Sequence, residues 1–398
     1  MRKIYAIFFT VVFAFVVDQA TAQFSVSTNS SSGLAATYTS LANAITALNG
    51  ATITAPVVIT VTAGAETAPA NGYQITATGT VTNTITISGG GFTVTANDAH
   101  ASTITHDAIF KIIGGDYITL ENFVMTENSL NTVGADMTEF GVALFNASTT
   151  NGAQNNTIQN NTITLSSSTV YHNTIGIFST SASSSTGAVQ IATTNAGTNS
   201  NNKIYGNTIT GVQFGAYFIG PTATAALVES GNDVGGTSLS TKNTITIGVS
   251  NVATGFAWQN GVFTTIAGVS FRNSFNANCR FNTINSNTAC TLSMGGILGT
   301  STTPAGQTYT NNFSDNTINL TSPGLVNPIT GIDMGAGLAT AGFTASNNNI
   351  TISQTAATGA VTAAAILIGI NANLASAAKT INGNTISILQ PVTTSATF

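Results

Sequence analysis

Charge is what this 398-residue sequence has least of: 8 Lys+Arg and 13 Asp+Glu make up 5% of it, where an average soluble domain has about 25%. Binding to nucleic acid is excluded on that ground, because neutralising phosphates needs Lys and Arg gathered on one face. Beyond residue 22 the cations are Lys111, Lys203, Lys242, Arg272, Arg280 and Lys379, scattered along the chain. The same shortage excludes docking on anionic lipid. Long apolar runs are missing too: after residue 22 the densest, Ala363 to Ile370, is eight residues long, too short to cross a membrane as a helix. What is there is a chain 42% hydrophobic with a mean hydropathy of +0.28, too apolar to stay disordered. Its 39 Gly and its Thr, Ser, Asn and Ala runs argue against a helical globule.

Met1-Arg2-Lys3 followed by the apolar run Ile4 to Val17, with small residues at Ala20 and Ala22, reads as a Sec signal peptide ending at residue 22. The mature chain then begins at Gln23 and is soluble or surface-attached. Cys279 and Cys290 are near enough in sequence for a disulfide. Cys279 instead occupies the position that Ile158, Ile204, Phe313 and Ile381 hold elsewhere, which fits a small buried hydrophobe.

Self-similarity is the strongest signal. Asn161-Thr162-Ile163, Asn207-Thr208-Ile209, Asn243-Thr244-Ile245, Asn282-Thr283-Ile284, Asn316-Thr317-Ile318, Asn348-Asn349-Ile350 and Asn384-Thr385-Ile386 recur at steps of 46, 36, 39, 34, 32 and 36 residues. A Gly-led series interleaves with it: Gly141-Val142-Ala143-Leu144, Gly176-Ile177-Phe178, Gly215-Ala216-Tyr217-Phe218, Gly255-Phe256-Ala257-Trp258, Gly296-Ile297-Leu298 and Gly331-Ile332-Asp333-Met334, with Ala365-Ile366-Leu367-Ile368 as a Gly-less seventh. Each motif alternates with period two, as strands do. A unit of one or two short strands cannot bury its own apolar face, so copies must stack. The fold class is therefore all-β, a parallel β-helix. Val142, Leu144, Ile177, Phe218, Phe256, Trp258, Ile297, Ile332 and Met334 should point inward on one sheet and the Ile of each Asn-Thr-Ile on another. The recurrent Asn should turn a corner in left-handed backbone and bond the equivalent Asn one coil along. Ahead of the repeats, Ser40 as N-cap with Leu41, Ala44, Ile45 and Leu48 predicts a short amphipathic helix that lids the open end. Strands are expected at Val57 to Thr62, Thr84 to Ser88, Phe92 to Thr95, Ile109 to Ile113 and Tyr117 to Leu120.

The lid helix with Tyr38 and Leu41, the strand Gly114-Gly115-Asp116-Tyr117-Ile118-Thr119-Leu120, the loop Gly231-Asn232-Asp233-Val234-Gly235-Gly236 and the Asn-Thr-Ile series resemble exported right-handed parallel β-helix proteins of the bacterial cell surface. The resemblance spans Phe24 to Gln390 and implies the pectin-lyase-like fold, often associated with type IX secretion sorting domains. It implies a right-handed helix with residues 1–22 as signal peptide, 23–140 as cap helix and first coils, and 141–398 as repeats, with no cap or sorting domain recognised after the Asn384 repeat. It fixes a fold better than a function.

In enzymes of that fold, acids cluster on the outer side of one sheet, often with calcium and an Arg or Lys base. The outward positions here would be Ala143, Phe178, Tyr217, Ala257, Leu298, Asp333 and Leu367, of which Asp333 alone ionises. Glycoside hydrolysis needs two carboxylates about 5–9.5 Å apart, and Leu298 and Leu367, the expected neighbours of Asp333, supply none. Asp107, Asp116, Glu121, Glu127, Asp136 and Glu139, with Lys111 among them, cluster in sequence and could hold calcium or a sugar, yet lack calcium-loop spacing. Asn232-Asp233 is a weaker candidate of the same kind. Arg272 and Arg280 have no acidic partner in view, and His100, His106 and His172 have no metal spacing. Thr60, Thr62, Thr84, Thr86, Thr93 and Thr95 suggest a flat Thr-x-Thr face of the ice-binding sort, which is not expected to keep register through the later repeats. What remains is an apolar stripe of Phe178, Tyr217, Leu298 and Leu367, either open to a ligand or folded over by long segments such as Ser179 to Ala196.

These observations lead to an exported or cell-surface structural and adhesive module without a cofactor. Glycan contact is expected along the Gly-led sheet at Phe178, Tyr217, Leu298, Asp333 and Leu367, and the partners are a polysaccharide or other surface proteins. The rival is a polysaccharide lyase or glycoside hydrolase of the same fold.

Overall fold

A computed structural model describes residues 24–97, 106–132, 137–165, 174–221, 227–248, 256–257, 262–263, 265–287, 293–300, 309–323, 328–334, 341–354, 366–373 and 378–389. Residues 1–22, read from the sequence as a signal peptide, and Trp258 lie outside them.

Successive motifs stack as three ladders, parallel except where Ser25–Thr28 pairs antiparallel with Thr37–Tyr38 and Val57–Ala63 at the N-terminal end. Among the described residues, sheet A has twelve strands, sheet B ten and sheet C nine. One coil runs Thr157–Gln159 in A, Thr162–Thr164 in B and Ile175–Ser183 in C, and the next runs Lys203–Tyr205, Thr208–Val212 and Phe214–Ile219. The chain is an all-β parallel solenoid, as the repeats predict. Ile163, Ile209, Ile245, Ile284, Ile318 and Ile350 lie directly over one another and are fully buried. Each such aliphatic contributes roughly 1.5–3 kcal/mol by leaving water. Cys279 stacks between Val234 and Phe313 as a free, buried thiol. Burial pushes its pKa up, so it behaves as the small hydrophobe its position predicts. Cys290 is outside the described residues.

The Asn series forms the expected ladder. The backbone N–H of Asn161 donates to Oδ1 of Asn207 at 3.0 Å, and that of Asn207 to Asn243 at 2.9 Å. Asn282, Asn316, Asn348 and Asn384 continue in the same way. Each Nδ2 also reaches a carbonyl across the corner, as Asn207 does to Ile158 at 2.9 Å. The left-handed residue, however, is not the ladder Asn but, in six of the seven cases, the one before it: Asn160, Gly206, Phe281, Asp315, Asn347 and Gly383 have positive φ, while Lys242 before Asn243 is extended. The ladder amide must face inward from extended backbone, so the sharp turn falls one residue earlier. A second ladder, which the repeat search does not reveal, turns the corner into sheet A through Asn156, Asn202 and Asn232, with links of 3.0 and 2.9 Å.

The glycines of the Gly-led series have a packing reason. At Gly141, Gly176, Gly215, Gly268, Gly296, Gly331 and Gly369 a Cβ would come within 3.0 Å of the Ile of the Asn-Thr-Ile strand facing it. Only a bare backbone lets those isoleucines fill the interior. This ladder corrects two members of the series. The fourth is Gly268, in Thr265–Arg272; Phe256–Ala257 pairs antiparallel with Val262–Phe263, away from the solenoid ladders. The seventh is Gly369, in Leu367–Asn371.

At the N-terminal end Leu41–Asn49 is helical, with Leu41, Ala44, Ile45 and Leu48 buried in the main core. Oγ of Ser40 accepts the N–H of Asn43 at 3.0 Å, and the Glu66 carboxylate accepts that of Leu41 at 2.8 Å, which satisfies donors that a helix start leaves free. The strands expected before residue 140 are all present within a residue or so, from Val57–Ala63 to Ile118–Glu121. At the far end Ile381, Ile386, Ile388 and Leu389 are exposed.

Candidate functional site

The register of sheet C fixes its outward column as Gln74, Lys111, Ala143, Phe178, Tyr217, Ser270, Leu298, Asp333 and Asn371. Ser270 replaces the expected Ala257. Asn371 replaces Leu367, which pairs with Ile329 instead. The open apolar stripe is not formed at its centre: Phe178 is 0% and Tyr217 1% exposed. They belong to a second apolar cluster with Phe140, Phe145, Ile175 and Phe214 on the outer side of the sheet. Phe178 stacks on Phe140 at 4.5 Å and Tyr217 on Phe214 at 4.8 Å. Several aromatics per coil, in register, are enough to make an outer core that water does not enter. Burial pushes the Tyr217 hydroxyl pKa up, and a hydrogen bond with Arg272 opposes the rise. Leu298, Asp333 and Leu367 stay half-buried. Asp333 accepts Nδ2 of Asn371 at 2.9 Å, and burial raises its pKa. Its column neighbours, Leu298 and Asn371, bring no second carboxylate.

The acidic cluster resolves into separate structural contacts. The N–H of Glu139 donates to Asp107 at 3.1 Å and that of Asp107 to Glu139 at 3.2 Å, tying two coils where their sheet C strands begin. Glu127 accepts from the N–H groups of Asn128 and Thr138, Nδ2 of Asn131 and Oγ1 of Thr138, at 2.8–3.3 Å. Burial still pushes its pKa up to about 7. Asp116 accepts the N–H of Gln154 at 2.7 Å and Glu121 the amide of Gln159 at 2.6 Å. Asp136 lies outside the described residues, as do His100 and His172. Among the described residues no group of three or more His, Cys, Asp or Glu could hold a metal. Lys111 is almost fully buried, and its pKa is lowered by that burial and partly restored by Asp107. One buried acid that the sequence reading passed over is Glu229, at the corner from C to A. Its Oε1 accepts Oγ of Ser181 at 2.9 Å while Oε2 has no partner, and burial pushes its pKa up to about 8.

Arg272 and Arg280 end strands of different sheets and share no groove. Arg280 belongs to the outer face of sheet A, the polar side of the molecule. One column there runs Thr119, Thr157, Lys203, Asp233, Asn278 and Asn312; beside it run Glu121, Gln159 and Tyr205. The Tyr205 hydroxyl donates to Asp233 at 2.7 Å.

The outer face of sheet B is different again. Thr93, Val124, Thr162, Thr208, Thr244, Thr283, Thr317, Asn349 and Thr385 form one column. Two residues on, Thr95, Thr126, Thr164 and Thr210 form another; the register shifts between Ile209 and Val212, and past that shift a separate column runs Thr246, Asn285, Asn319, Thr351 and Ser387. As the sequence leads one to expect, Thr-x-Thr is not kept through the later repeats: it stands at Thr162/Thr164, Thr208/Thr210 and Thr244/Thr246, with a register shift after Ile209, and gives way to Thr283/Asn285, Thr317/Asn319, Asn349/Thr351 and Thr385/Ser387.

No family model matches the chain, and no curated protein does. Among solved structures, the Streptococcus pneumoniae surface protein and adhesin PfbA is similar at 14% identity over 88% of this chain and 95% of that one, with a TM-score of 0.32. A likeness of that size carries no inference about what this chain does.

Proposed function

We propose that the chain is an exported, non-catalytic adhesive module: a rigid solenoid shaft of the pectin-lyase-like kind that holds a polysaccharide at or outside the cell surface. Residues 1–22 direct export, and a type IX route is the form of export the sequence resemblance favours. The observation that supports glycan contact is the outer face of sheet A, where Glu121, Gln159, Lys203, Tyr205, Asp233 and Arg280 set donors, acceptors and a phenol ring on a fixed lattice of strands. Sugars are bound through such combinations of polar groups and an aromatic face. Contact therefore moves from Phe178 and Tyr217, which are buried, to sheet A, with Leu298 and Asp333 a secondary contact on sheet C.

The purified protein should be retained by one member of a panel of acidic and neutral polysaccharides without cutting it. Tyr205→Ala should weaken retention and leave the melting temperature nearly unchanged. Release of unsaturated or reducing ends would overturn the reading in favour of a lyase or hydrolase.

A further inference from the structure

The outer face of sheet B is a surface that neither the core nor the glycan reading uses. Its strands from Thr93–Thr95 through Thr162–Thr164, Thr208–Val212, Thr244–Ile247, Thr283–Ser286, Thr317–Ser322 and Asn349–Gln354 to Thr385–Leu389 contain no Asp, Glu, Lys or Arg. Sheet A, by contrast, carries Glu121, Lys203, Asp233 and Arg280. The hydroxyls of Thr162, Thr208, Thr244, Thr283 and Thr317 make no hydrogen bond within the described residues, and these side chains are exposed or half-buried. Their neighbours in the second column are bonded along the column, Thr95 to Thr126 at 3.4 Å, Thr164 to Thr210 at 3.0 Å and Asn319 to Asn285 at 3.0 Å. One column is thus held by the protein, and the other is presented to solvent.

Three physical features act together. Parallel strands in register repeat about every 4.8 Å and alternate residues about every 6.7 Å, so the face is a net of hydroxyls and methyls, continuous along the first column from Thr162 to Thr317 and interrupted in the second by the register shift after Ile209 and by Asn285 and Asn319. Threonine is stiff at χ1, and the inward Asn ladder from Asn161 to Asn384 pins each strand to the next, which opposes the twist a free sheet would take. Methyl groups order the adjacent water, while the free hydroxyls anchor it at lattice points. Charged side chains would hold hydration shells of their own and break that order. With no charge for an ionic polymer and no ring for a sugar, the net suits a crystalline array of neutral hydrogen-bonding oxygens. Its two repeats are close to the oxygen spacings on faces of hexagonal ice.

We propose that the Thr-x-Thr face of sheet B binds ice. This goes beyond the adhesive reading and uses a different face, so either can fail alone. The test is the freezing behaviour of the whole protein: ice-crystal shape and thermal hysteresis by nanolitre cryoscopy, with partition into a growing ice front. The native chain should facet ice and enter the front. Thr208→Tyr combined with Thr244→Tyr should lose both effects, and Thr157→Tyr on sheet A should keep them. Thr208→Val with Thr244→Val keeps the shape of the face and serves if the tyrosines disturb folding; it should reduce hysteresis. Round, unshaped crystals with native protein would overturn the proposal, as would full activity in both sheet B variants. Binding to crystalline cellulose or chitin through this face, without any effect on ice, would also overturn it. Tyr205→Ala, which tests the glycan reading, should leave the ice assays unchanged.

Discussion

Sheets B and C rise from the same shaft with the same coil period, one strand per coil, and their outer faces end in opposite states. Outside sheet C, Phe140, Phe145, Phe178, Phe214 and Tyr217 make a second core; outside sheet B, threonines stand in water. The inner faces of both are packed isoleucine, valine and phenylalanine. The difference therefore lies wholly in the alternate residue of each strand, and one solenoid can be thickened on one side and left as a bare lattice on another. The covered side also holds the buried Lys111 in its outward column, with Asp107 just ahead of that strand, while buried Glu127 follows a sheet B strand and Glu229 sits at the corner from C to A.

The sharpest way to break the comparison is to place one charge on each face. Phe178→Asp should destabilise by more than about 4 kcal/mol, through an unpaired buried charge and a lost ring, and denaturant unfolding measures it. Thr208→Asp, equally outward, should stay within about 0.5 kcal/mol of the native chain. Equal losses at the two sites would remove the distinction.

Asn282→Ala should come next. It removes an amide that donates to Val234 O at 3.0 Å and Asn316 Oδ1 at 3.1 Å and accepts from Asn243 at 2.9 Å. Leaving such groups unmet costs about 1–3 kcal/mol. Thermal unfolding should show the loss, with a cut in ice shaping if the ladder keeps sheet B flat.

The effect of pH should be smaller. The Glu229 carboxyl is at about 8 when folded and near its ordinary 4.5 when unfolded, so the folded state holds the extra proton between those values. Its stabilising contribution is full below about pH 4.5 and is lost as pH rises through about 8. The melting temperature should fall over that window, and Glu229→Gln should remove most of the fall. Glu127, raised to about 7, adds to the fall with the same sign, and His106, lowered by burial, works against it. A melting temperature that rises from pH 5 to 8 would contradict the buried placement of both acids.

Much of the fold was legible because the inward Ile and the ladder Asn are both fixed by stacking, so their spacing survives loops of any length. Gly255 was mistaken for a ladder member because Gly255-Phe256-Ala257 alternates like a strand, while Gly268, beside Val269 and Phe271, carries the actual constraint. The second Asn ladder escaped notice because its motif varies outside the turn, from Asn156-Thr157-Ile158 to Asn232-Asp233-Val234. The threonine column of sheet B is only partly legible, for a geometric reason: Thr60, Thr62 and Thr86 lie on sheet A and Thr93 and Thr95 on sheet B, so the first examples mix two faces, while the later coils keep only the first threonine of each pair in most cases. Whether an outward stripe is covered depends on how many apolar residues stand beside it on the same sheet, as Phe140, Phe145, Ile175 and Phe214 do here, and nothing in Phe178 or Tyr217 themselves announces it.

Hydroxyl-radical footprinting of the native protein, read residue by residue by mass spectrometry, tests the two-faced solenoid most directly. Tyr205, half-buried on sheet A, should be oxidised readily, while Phe178 and Tyr217 stay protected until the chain unfolds. Oxidation of Phe178 and Tyr217 in the folded protein at the rate of Tyr205 would contradict the account.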